Sequence, residues 1–127
     1  MLNGIPDNDL TSGVNYRVIR YADVLLMAAE ALNKVGDDVK SLIYLNSVRQ
    51  RVGLFEKASS GVLLYDDILK ERRSELSCEG HRFFDLVRTG KAAEKINGFV
   101  VGKHELFPIP QDEIDLSGGN WPQNSGY

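Results

Sequence analysis

Cysteine is all but missing from this sequence. Cys78 stands alone, which excludes an intramolecular disulfide and any metal site built on several thiolates. On a helix, a lone thiol of this kind is expected to act as a small buried hydrophobe rather than a nucleophile. Histidine is nearly as scarce, with His81 and His104 only. Neither stands in the His-Glu-x-x-His pattern of zinc peptidases or the Glu-x-x-His pattern of di-iron bundles. No Gly-x-Ser-x-Gly elbow, Walker loop or dinucleotide-binding glycine fingerprint occurs. Catalysis, a metal and a cofactor are therefore not expected. No apolar run approaches the roughly 20 residues of a membrane-spanning helix. The opening Met1-Leu2-Asn3-Gly4-Ile5-Pro6 has neither the basic nor the apolar region of a signal peptide. The polypeptide as written is expected to be soluble and untargeted.

An excess of positive charge is also lacking. Fifteen basic against 18 acidic residues leave a net charge of −3, the wrong sign for a nucleic-acid partner. No segment is a charged arm: residues 17–53 hold six basic and four acidic side chains, residues 63–91 six of each. What is present is an ordinary globular balance, 43% hydrophobic and 26% charged over 127 residues, enough for one domain with a core.

The apolar residues recur at helical spacing. Residues 1–16 are rich in Asn, Asp, Gly, Ser and Thr and read as a lead-in loop. A helix is predicted from near Arg20, with Ala22, Leu25, Leu26, Ala29 and Leu32 on one face, and Gly36 stops it. Asp37 or Asp38 caps a second helix that carries Val39, Leu42, Ile43, Leu45 and Val48 and ends near Gly53. So short a turn forces the two to lie antiparallel. Together they span roughly one tetratricopeptide unit, a kind that does not bury its outer apolar face without neighbours. A third helix is predicted from Leu63 or Tyr65 to Glu79, with Ile68, Leu69 and Leu76 inward, broken by Gly80. Short helices follow around Phe83–Val87 and Ala92–Ile96. From Val100 the chain reads as irregular, with room near Gly102 for one short strand or hairpin. The expectation is a single all-α domain over 1–127: an antiparallel tetratricopeptide-like pair, further helices, and an irregular tail over 103–127.

The densest polar cluster runs from Glu71 to Arg82. Glu71, Glu75 and Glu79 fall four residues apart on one helix face, a like-charged row that is unstable without partners. Arg72, Arg73, Arg82 and Arg88, or Arg49 and Arg51 across the helix pair, can supply them, and the row reads as a helix-locking salt-bridge system. His104 reads as solvated. Trp121, Tyr127, Tyr16 and Tyr65 could stack on sugar rings, but each reads first as a packing residue, with Trp121 anchoring the tail. They do not cluster in one loop, so no ligand-binding residue is assigned.

Four stretches occur in order: Arg20-Tyr21-Ala22-Asp23-Val24-Leu25-Leu26-Met27-Ala28-Ala29-Glu30-Ala31-Leu32; Tyr44-Leu45-Asn46-Ser47-Val48-Arg49-Gln50-Arg51-Val52-Gly53-Leu54; Glu71-Arg72-Arg73-Ser74-Glu75-Leu76 with Glu79-Gly80-His81-Arg82-Phe83-Phe84-Asp85-Leu86-Val87-Arg88-Thr89-Gly90; and Pro108-Ile109-Pro110-Gln111-Asp112-Glu113-Ile114-Asp115 closed by Gln123-Asn124-Ser125-Gly126-Tyr127. In this order and spacing they resemble the C-terminal region of the SusD/RagB family. The resemblance covers residue 17 to the end. It implies an α-helical superhelix of tetratricopeptide-like units in a surface lipoprotein of the outer membrane. Such a protein binds oligosaccharides or other nutrients, is not an enzyme, and sits as a lid on a TonB-dependent transporter barrel. It implies that the motifs here are mainly architectural, and it assigns no glycan-contacting residue, because the family's contacts lie largely in loops upstream. Family members are several times longer and carry a signal peptide and a lipid-bearing Cys, neither of which is found in these 127 residues. The stretch Ser117-Gly118-Gly119-Asn120-Trp121-Pro122 stands where the family usually shows an Asn-Pro turn. Two origins stay open, a piece of a truncated reading frame or a minimal relative. The second functional reading is a free-standing helical adaptor for a peptide or protein. Self-association through an uncovered apolar face is expected of the polypeptide alone.

Overall fold

A computed structural model of the protein describes residues 17–127. The expected lead-in loop over 1–16, and Tyr16 with it, lies outside them. Six helices and no strand occur among the described residues: α1 (Tyr21–Lys34), α2 (Asp38–Arg51), α3 (Gly61–Glu75), α4 (His81–Arg88), α5 (Ala92–Lys95) and α6 (Gln111–Leu116). None of the helices is long and apolar enough to cross a membrane. The chain divides into two compact units, one ending at Glu75 and one spanning Leu76–Tyr127.

The first unit holds the helix pair and α3. Gly36 takes the left-handed φ of +86° that a residue with a Cβ adopts at a cost, and there α1 reverses. The Asp37 amide donates to Leu32 O at 2.9 Å and closes the end of α1. Its carboxylate then accepts from the Lys40 amide at 3.2 Å and opens α2. The Lys40 ammonium beside it holds the Asp37 carboxyl below the usual carboxylate range. With so short a turn, α1 and α2 run antiparallel. Ala22, Leu26 and Ala29 from α1, Leu45 and Val48 from α2, and Leu64 and Ile68 from α3 make one buried core, flanked by Leu25 and Leu42. Ser41, fully buried on α2, allows close approach, and its hydroxyl donates to Ala29 O at 2.7 Å. The loop after α2 is held by Asn46, whose side chain donates to Lys57 O at 2.9 Å and accepts from Lys57 N at 2.8 Å.

Helix α3 stops at Glu75, four residues before the predicted end. The following turn contains Cys78 at a left-handed φ of +66°, which no helix accommodates. Cys78 is exposed, contrary to its expected burial.

In the second unit, Gly80 at φ +83° starts α4, and Thr89 closes it with a hydroxyl bond to Asp85 O at 2.7 Å. Residues around Gly102 form a turn rather than a strand or hairpin. The tail contains α6, which the sequence reading missed. Pro110 precedes it, Asp112 and Glu113 occupy its positive first turn, and Gly118 and Gly119 follow its end. The final residues then fold back by side-chain bonds. Gln123 brackets the Ile109 backbone at 2.8 Å on both its N–H and its carbonyl, Asn124 donates to Phe107 O at 2.6 Å, and the Tyr127 hydroxyl donates to Leu106 O at 3.0 Å. Trp121 remains exposed and does not anchor the tail.

Candidate functional site

The polar cluster of α3 resolves into a lattice of ion pairs within the first unit. Residues Glu71 and Glu75 project one turn apart, as their spacing requires. Arg49, in the last turn of α2, binds Glu71 through Nη1 to Oε2. Glu75 takes two arginines on Oε1, Arg20 Nη1 at 2.9 Å and Arg51 Nη2 at 2.8 Å. Arg20 also donates to the Glu75 backbone carbonyl at 2.8 Å. Deepest is Arg72 of α3, whose Nη1 lies 2.7 Å from Asp23 Oδ1 on α1, with both side chains at most 6% exposed. These pairs tie α1, α2 and α3 together around their apolar core, so the cluster serves architecture. Arg49 and Arg51 are the partners expected across the helix pair. Arg20 and Asp23 were not anticipated, although an Asp inside the apolar run Tyr21–Leu26 was the available signal. Glu79 lies in the turn after α3, apart from the helix row of Glu71 and Glu75. No grouping of three His, Cys, Asp or Glu side chains able to hold a metal ion occurs among the described residues.

Among the described residues, two clefts have a lining that bears on ligand binding. In the first unit, an open cavity of about 370 Å³ lies at the start of α1, lined by Arg17, Ile19, Tyr21, Leu25, Ser47 and Arg51. In the second unit, one of about 310 Å³ gathers Phe83, Phe99, Phe107, His104 and Tyr127. Phe83 is central there, its ring 6.4 Å from Phe99 and 5.9 Å from Phe107. His104 is not simply solvated: its Nδ1 accepts from the Val100 amide at 3.0 Å, and its ring meets Phe99 edge-on at 5.7 Å. Of the aromatics singled out in the sequence, Tyr127 joins this cluster and Trp121 and Tyr65 do not; its other rings are phenylalanines and His104 from separate segments, which sequence spacing did not show. Tyr127 has Lys103 Nζ over its ring at 4.6 Å, and Tyr65 has Lys34 Nζ over its own at 3.7 Å, so both have packing roles.

The model of the SusD family matches residues 2–105. The chain is 42% identical over 98 residues to SusD-like protein P38 of Formosa agariphila, covering 66% of this chain and 19% of that protein. It is 33% identical to SusD-like protein P2 of the same organism, over 95% of this chain and 28% of the relative. Among solved structures, a SusD homolog from Bacteroides thetaiotaomicron superposes with a TM-score of 0.78 at 38% identity, over 85% of this chain and 25% of that one. The chain therefore spans between about a fifth and three-tenths of the length of the proteins it is similar to.

Proposed function

Because this chain belongs to the SusD/RagB family, we propose that it forms part of a surface-exposed, acyl-anchored outer-membrane protein that binds oligosaccharides or other nutrients and hands them to a TonB-dependent transporter. The observation that carries the reading is the family match over residues 2–105, with the same helical arrangement at 38% identity in a solved SusD homolog. Members of that family are binding proteins, not enzymes. Glu71, Glu75, Asp23 and Asp85 are each paired with an arginine. In this reading the helices and their ion pairs are scaffold, and sugar contacts come chiefly from elsewhere in the longer protein.

The test is calorimetric titration of the protein purified from the outer-membrane fraction of its source organism against a panel of oligosaccharides released from plant, algal and animal polysaccharides. Saturable binding to one glycan class is expected. Binding to none of them, with retention of peptides instead, would replace this reading with that of a helical adaptor.

A further inference from the structure

The cleft of the second unit has a lining that selects among ligands. Phe83 and Phe99 lie half-buried in it, while Phe107 and Tyr127 stand exposed. The Phe83 ring is tilted by 52° against Phe99 and by 43° against Phe107. Rings at such angles diverge instead of stacking. They present edges and faces that a further ring can meet edge-to-face, at centroid separations of about 4.5–7 Å. Among the described residues, those lining the cleft include no Asp, Glu, Lys or Arg, so no ion pair awaits a ligand there. Polar groups are few. The Tyr127 hydroxyl already donates to Leu106 O at 3.0 Å. His104 Nδ1 accepts from the Val100 amide at 3.0 Å, so the neutral ring carries its proton on Nε2. That Nε2–H has no partner among the described residues.

We propose that this cleft binds a small neutral aromatic molecule with a hydrogen-bond acceptor on its edge, its rings set among Phe83, Phe99 and Phe107 and its acceptor on His104 Nε2–H. An apolar cavity of about 150 Å³ is enough for benzene. A volume of about 310 Å³ therefore suits two fused rings. A pyranose suits it poorly, since each sugar hydroxyl taken from water needs a partner. Of the lining side chains, only His104 and the exposed Asn97 amide have one to offer. An alkyl chain would fill the volume but leave Nε2–H unused. The site stands apart from the sugar contacts of the longer protein and does not depend on them.

Quinoline, two fused rings with one ring nitrogen, is the probe. It is titrated calorimetrically at neutral pH into the protein at the length it has in its source organism. Saturation below about 1 mM is expected of so small a ligand. Ile96→Trp puts an indole into the cleft and is expected to weaken binding by about tenfold or more. His104→Phe keeps a ring against Phe99 but removes the donor, and is expected to lower affinity by about 2–10-fold. Circular dichroism checks that each variant folds; should Ile96→Trp fail to, His104→Phe alone decides. No saturable binding to the wild type, or unchanged affinity in a folded variant, would overturn the proposal. Displacement of quinoline by methyl glucopyranoside would overturn it in favour of a sugar subsite.

Discussion

The most demanding test of the scaffold is the Arg72–Asp23 pair. Replacing Arg72 by Met keeps the aliphatic stem and its packing but leaves the Asp23 carboxylate, 4% exposed, without the guanidinium 2.7 Å away. Removing one partner of a buried pair costs about 3–5 kcal/mol, because the surviving charge keeps its desolvation penalty. Against a total stability of about 5–15 kcal/mol, that is a large share. In a unit this small, 1 kcal/mol moves the melting temperature by about 4–8 °C, so Arg72→Met is expected to lower it by about 12 °C or more. The double variant Asp23→Leu/Arg72→Met removes both charges and is expected to recover most of the loss, since apolar replacement of a buried pair is often neutral or stabilising. Urea melts of wild type, both single variants and the double variant, followed by circular dichroism, give the coupling energy directly. A cost below about 1 kcal/mol for Arg72→Met, the value of an exposed pair, would refute the reasoning. So would a double variant no more stable than the single.

Three further outcomes are expected. Ser41→Ala loses the hydroxyl bond to Ala29 O and costs about 1 kcal/mol, whereas Ser41→Val adds overpacking in the α1–α2 contact and costs about 1–3 kcal/mol more; urea melts separate the two. Asn46→Ala frees the loop at Lys57, costs about 1–2 kcal/mol, and speeds chymotryptic cleavage after Phe55, which is 93% exposed. Burial works to raise the Asp67 carboxyl, but the hydrogen bonds from Ser59 and Lys57 outweigh it and hold the group below its usual range. A carboxylate lowered in the folded state adds stability that is present above the unfolded value of about 4 and lost as pH falls through the folded one. The stability gap between wild type and Asp67→Asn is therefore widest near neutrality and narrows below about pH 4, as melts across pH 2–7 will record.

The helix pair was legible because its signals are local: a three- and four-residue apolar period, then a glycine and an aspartate between two helices. The carboxylate row on α3 was legible for the same reason, and its need for partners named Arg49 and Arg51. Asp23 was not recognised, because a single polar residue on a core face announces burial only when its partner, 49 positions away, is known. Helix α3 was drawn too long because Leu76 continues its apolar period, while the left-handed Cys78 that ends it has no signature in a non-glycine residue. Helix α6 is too short for periodicity to register; proline and two acids ahead of Ile114 were its only trace. Trp121, the expected anchor of the tail, is exposed. Gln123, Asn124 and Tyr127 hold the tail instead, because the irregular backbone at Leu106–Ile109 offers carbonyls and amides that need hydrogen-bond partners more than apolar cover.

The central claim, that these helices are scaffold within a longer nutrient-binding lipoprotein, is met most directly by the intact mass of the native protein. An antibody against residues 61–75 captures it from the source organism's membranes for mass spectrometry. The account predicts an acylated species in the outer-membrane fraction, several times heavier than the 14.2 kDa of these residues. An unacylated species at 14.2 kDa would contradict it and favour a free-standing helical adaptor.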